Sequence, residues 1–133
     1  MVNPMPAKQK QDKLYPDTRY FARRVSECGH QPVYKQLLPD GEPTALAILP
    51  SQKPNDHSHG FQWGYGGSGP AQLSLALLLD VTSNPDLALA YYQQFKRDIV
   101  ASWGDEWTIF SGEILEWVKV QERRELGVRI SKN

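Results

Sequence analysis

Hydrophobic and polar positions divide this chain into two halves with different periods. Up to about residue 48 the apolar residues come in short β-branched or aromatic segments, RYFARRV, PVYKQLL and TALAIL. The first two are separated by the turn-like SECGHQ, the last two by Pro39-Asp40-Gly41-Glu42. That tetrapeptide is a strong turn signal, because proline fixes φ and glycine accepts φ > 0. Val33, Lys35 and Leu37 alternate with Tyr34, Gln36 and Leu38, so period 2 is only partly kept. TALAIL reads as a third strand or as the start of a short helix, and PSQKPNDHSHG (50–60) as a loop.

From Pro70 onward the period is helical. Proline is tolerated in a first turn, with Ser68 or Gly69 nearby as cap. Only Gln72 and Ser74 interrupt the apolar surround of AQLSLALLLD, which predicts a short, central, buried helix. TSNPD (82–86) supplies a stop and a restart: a cap, Pro at N1, then an acid facing the dipole. The second helix is expected from about Pro85 to Trp103, with Ala88, Tyr91, Tyr92, Phe95, Ile99 and Trp103 on one stripe. Gly104-Asp105 ends it. A third helix, capped at Ser111 or nearby, turns Ile114, Leu115, Trp117 and Val118 inward until the charges of 122–125 take over. The tail LGVRISKN adds an edge strand or frays. The predicted class is α+β: a short antiparallel sheet of two or three strands packed on a three-helix C-terminal unit. Residues 1–17, with three prolines and little to bury, are expected to be a disordered arm. A single domain then spans 18–126, and 127–133 form a tail.

Composition sets outer limits. The 133 residues suit one domain, and 40% apolar with 23% charged residues is ordinary for a globular protein. The longest apolar run, Leu75 to Leu79, has five residues, far from the ~20 that a membrane span needs. Without an apolar leader, and with Cys28 the only cysteine, the expectation is a cytoplasmic protein with no intramolecular disulfide. The net charge of zero conceals a pattern: residues 1–24 sum to +4, residues 119–133 to +3, and the stretch between to −7. Basic ends suit phosphate backbones or an acidic partner surface, or are simply solvated tails.

The densest candidate chemistry is Gly64-Tyr65-Gly66-Gly67-Ser68-Gly69, four glycines in six residues running into Pro70. It satisfies G-x-G-x-x-G, but only Phe61-Gln62-Trp63 precedes it and another helix follows, so the strands of a dinucleotide fold are missing. No Gly-Lys-Ser/Thr makes it a P-loop. Two readings remain open. Amides of Gly67, Ser68, Gly69 and Ala71 at a helix N-terminus could hold an anion, with Trp63 and Tyr65 as flanking rings. Alternatively, the glycines let the loop cross tightly while both rings pack in the core. Ser68 as a nucleophile lacks a histidine downstream, since His30, His57 and His59 all precede it. Cys28, His30, His57 and His59 form two i,i+2 pairs, spacings shorter than structural zinc sites use, so neither metal nor cofactor is expected. The aromatic residues at helical spacing read as core. Arg23, Arg24, Lys96 and Arg97 are the stronger contact candidates, because long cations are seldom fully buried.

GFQWGYGGSGPAQLSLALLLD, then NPDLALAYYQQFKRDIVASW, then WTIFSGEILEWV, resembles over roughly Arg19 to Val118 a small domain family of unknown function from bacteria, archaea and phages. The signature of that family is WGYGGSGPAQLALALL, a Tyr-x-x-Phe-Lys-Arg helix and a short tryptophan-ended C-terminal helix. Here Phe110 stands where a capping Ser or Thr is expected, which moves the cap to Ser111. The resemblance implies no activity, cofactor or substrate. Its members resemble small accessory genes of plasmids and phages, which points to binding nucleic acid or a host protein. The expected function is therefore a non-enzymatic binding module for a protein or nucleic acid. The alternatives are a small anion- or nucleotide-binding protein or enzyme using Gly66–Gly69, and a structural adaptor or inhibitor capping a partner's surface.

Overall fold

A computed structural model describes residues 17–27 and 29–132, with side chains through residue 128. The expected disordered arm therefore lies almost wholly outside the described residues, as does Cys28. Strands β1 (Thr18–Arg23), β2 (Tyr34–Leu37) and β3 (Thr44–Ala45) are followed by a single helical turn, α1 (Leu49–Gln52). Helices α2 (Ser68–Thr82) and α3 (Pro85–Asp98), strand β4 (Glu106–Phe110) and helix α4 (Ser111–Lys132) complete the fold. The class is α+β, with one four-stranded antiparallel sheet in the order β3-β2-β1-β4.

Helix α2 is the centre. Every residue from Gly69 to Leu78 is buried, so stability comes from all-round packing rather than from one apolar stripe. Each fully buried leucine contributes roughly 1.5–3 kcal/mol relative to an exposed one. Thr82 returns its hydroxyl to Leu78 O, and Ser83 ends the helix in the left-handed region at φ 54°. Asn84 then caps α3, its side chain accepting from Leu87 N at 3.2 Å. Ala88, Tyr92 and Phe95 face inward at helical spacing.

Four expectations are corrected. The sheet has four strands rather than two or three, because EWTIF is a strand whose exposure alternates, with Trp107 and Ile109 inside. It pairs with β1, Arg19 opposite Phe110 and Arg23 opposite Glu106. Helix α3 stops at Asp98, not Trp103: Ile99 leaves helical geometry (φ −127°, ψ −63°) and a 3-10 turn, Val100–Ser102, buries Val100. The last helix continues through Lys132, where the sequence predicts a fraying tail or an edge strand. Ser111 is the first residue of α4 rather than its cap. Its hydroxyl accepts from Thr18 N at 2.8 Å and donates to Asp17 Oδ1 at 3.0 Å, tying the start of β1 to α4. Glu113 accepts instead from Phe110 N, half of a capping box. Among the described residues, no helix is long and apolar enough to cross a membrane.

Candidate functional site

The inner face of the sheet carries Tyr20, Ala22, Trp107 and Ile109, all buried. Register puts Lys35 opposite Tyr20 on that same face. Both reach Asp80 near the end of α2: Tyr20 Oη donates to Oδ2 at 2.5 Å and Lys35 Nζ to Oδ1 at 2.9 Å. Burial, then the hydrogen bond to Asp80 and its negative charge, hold the Tyr20 phenol far above its usual range. The three side chains clip sheet to helix at the edge of a pocket of about 390 Å³ with mostly apolar walls.

A second polar assembly fixes the loop after α1. The fully buried Gln72 accepts from His57 N (2.6 Å) and Ser58 N (3.0 Å) and donates to Ser51 Oγ (2.9 Å) and Asn55 O (3.2 Å). The amide is fully used, which explains a glutamine inside an otherwise apolar helix. Beside it, the Tyr92 hydroxyl lies 2.6 Å from His57 Nε2 and 3.0 Å from Asn55 Nδ2. Among the described residues, no group of three or more His, Cys, Asp or Glu is arranged to hold a metal.

The glycine turn is divided between inside and outside. Trp63 is fully buried, its indole donating to Gly104 O at 2.6 Å and meeting Trp107 edge-on at 5.6 Å. It belongs to the core and is not available as a flanking ring. Tyr65 is 52% exposed, and its ring lies over Gly67, where a Cβ would come within 2.6 Å of it. Ala71 N already donates to Gly67 O, so this amide is not open to an anion. Gly64, at φ +88°, donates to Val100 O and passes so near Trp103 O that a Cβ would lie 3.0 Å from it. A Cβ at Gly66 would meet nothing within 4 Å, Ser68 is exposed, and Gly69 is buried against Gln62.

The expected basic residues part company. Arg24 turns inward: its guanidinium bonds Asp105 Oδ1 (3.2 Å), Gln62 Oε1 (3.1 Å) and Trp63 O (3.3 Å), and lies 5.0 Å from the Trp63 ring centre. It braces the approach to the glycine turn and is not a free contact residue. Arg23, one position earlier and therefore on the other face, is 76% exposed, with Glu106 at 3.9 Å. Arg97, exposed on α3, bonds Gln94, and Lys96 is half-buried on the same helix. Both stand on a different element from Arg23, so the four do not form one patch.

What the sequence did not reveal is the outer face of the sheet. Register sets Phe21 between Tyr34 and Thr108, Arg19 between Gln36 and Phe110, and Arg23 beside Glu106. None of these eight residues is buried. The Phe21 and Tyr34 rings stack with centres 5.8 Å apart and planes at 29°. The Arg19 guanidinium lies 4.0 Å from the Phe21 ring centre and bonds Gln36 Oε1 at 3.3 Å. Arg19, Phe21, Arg23, Tyr34 and Thr108 border a shallow depression of about 400 Å³. Period 2 in RYFAR was a signal for one strand's outward residues, but the pairing that brings Tyr34 beside Phe21 is set by the tertiary fold.

Residues 28–120 match the family of unknown function DUF6166. The chain belongs to that family. The span matched to DUF6166 contains the glycine turn, α2, α3 and β4, and leaves β1, with Arg19, Phe21 and Arg23, outside it. No curated protein and no solved structure matches this DUF6166 chain.

Proposed function

We propose that this protein is a non-enzymatic binding module whose working surface is the outer face of its sheet. The observation that carries the reading is the Arg19–Phe21–Tyr34 stack, an ordered aromatic and cationic layer where no residue is buried. Aromatic rings and arginine are the side chains on which binding energy concentrates in interfaces. The glycine turn serves this module as scaffold: Arg24, Trp63 and Gly64 bind it to β1, the core and the 3-10 turn. An anion cradle at Gly66–Gly69 has less support, since Trp63 is enclosed and the Ala71 amide is satisfied.

The test places a photo-crosslinking residue at Thr108 on the face, and a control at Glu116 on α4, in the native host. Adducts at Thr108 that exceed those at Glu116 support the assignment, and nuclease or protease digestion of the adduct tells a nucleic-acid partner from a protein one. Equal yields at the two positions, or yields confined to Glu116, would remove this face as the working surface.

A further inference from the structure

Resting on the module reading above, we infer that the partner of the outer sheet face is single-stranded nucleic acid, with successive bases laid on Tyr34 and on the Arg19–Phe21 pair and phosphates met by Arg23. Neighbouring strands lie about 4.8 Å apart, so outward rings on paired positions meet, here as a stacked pair. Tyr34 is the more exposed member of that pair, and its ring is the one open to an unstacked base. Every base has a π-face, which makes such a platform tolerant of sequence. A duplex hides those faces in its own stack and offers only groove edges and phosphates.

The chemistry around the rings agrees. The Arg19 guanidinium sits over the Phe21 ring and adds positive charge to the stack. Thr108, exposed on one side, carries a hydroxyl suited to base edges, while the Gln36 amide is used in holding Arg19 and Gly41 O. Arg23 and Glu106 are 76% and 70% exposed and 3.9 Å apart, a pairing that holds the arginine only weakly. Among the described residues the face carries two cations, Arg19 and Arg23, against one acid, Glu106. The residues beside these rings are Arg19, Arg23, Gln36, Ala45 and Thr108, with Ala22 and Val25 at the border of the depression.

The test is fluorescence anisotropy with labelled single-stranded DNA, single-stranded RNA and duplex DNA, each of about 12 nucleotides or base pairs, within the footprint of small single-strand binders. One or both single strands are expected to bind at least about ten-fold more tightly than the duplex, and the ratio between them identifies the natural sugar. Tyr34→Ala and Phe21→Leu should each weaken binding about ten-fold, whereas Tyr34→Phe, which keeps the ring, should not. Arg23→Gln should lower the slope of log affinity against log salt by about one. Circular dichroism of each variant separates lost binding from lost folding. Preference for duplex, no binding of either strand, or folded Tyr34→Ala and Phe21→Leu proteins with unchanged affinity would overturn the inference. Protease-sensitive, nuclease-resistant adducts at Thr108 would overturn it too, while leaving the module reading standing.

Discussion

Replacing Gln72 with leucine should be among the most damaging single changes in this protein. The side chain is fully buried on α2, and four hydrogen bonds end on its amide. Gln72→Leu keeps the apolar packing of the helix but leaves the amides of His57 and Ser58 without their acceptor. It also removes the donor that serves Asn55 O and Ser51 Oγ. Each buried group left unpaired costs about 1–3 kcal/mol. Ser51 retains a bond to Ile48 O at 2.7 Å, and the half-buried 57–58 segment admits some water, so the four losses do not add in full. The expected net loss is about 3 kcal/mol, read from urea unfolding followed by circular dichroism. Hydrogen exchange gives an independent readout: the His57 and Ser58 amides should exchange faster in the variant while the core amides of α2 keep their order of protection. A loss below about 1 kcal/mol, with unchanged exchange at both amides, would refute the claim that this glutamine fixes the loop.

Two further outcomes test the fold. Gly64→Ala should cost about 1–2 kcal/mol, since φ is +88° and a Cβ would press on Trp103 O, whereas Gly66→Ala, with open space around it, should stay within about 0.5 kcal/mol; equal shifts in thermal melts would contradict this division of the turn. Raising the pH through the ordinary tyrosine range should destabilise the protein through Tyr20, whose folded pKa lies above its unfolded value of about 10. Its contribution is fully present below pH 10. Above that, the unfolded state releases a proton that the folded state keeps, so stability falls by about 1.4 kcal/mol per pH unit. Tyr20→Phe should flatten that decline in urea titrations, and an unchanged alkaline slope would show that the phenol is not the group responsible.

Local signals were strong where they were self-contained. Asn84, Pro85 and Asp86 announced the start of α3, and the structure uses Asn84 as its cap. Pro70 and the apolar run after it announced α2, including its burial. Failure came where the deciding interaction is distant. EWTIF alternates as a strand should, but five residues between two helices are too few to claim without knowing that β1 waits to pair with them. The second half of α4 lacks an apolar stripe, with Leu126 and Val128 exposed, so its helicity rests on helix-favouring Glu, Arg and Leu rather than on a pattern. Arg23 and Arg24 could be assigned to opposite faces by parity, but not which of them would cross beneath the Trp63 ring. The glycine turn drew attention by composition. The Phe21–Tyr34 pair did not, because its partners are thirteen positions apart and meet only through register.

The pairing of Arg19 with Phe110 sets an order of events in a growing chain. β1 leaves the ribosome well before the strand that flanks it, which emerges only after both α2 and α3. In that interval one side of β1 has main-chain donors and acceptors without companions, and α2 has no finished wall to lie against. Sealing the domain thus waits for Glu106–Phe110, and a chain halted short of Glu106 would carry an adhesive border rather than a smaller working protein.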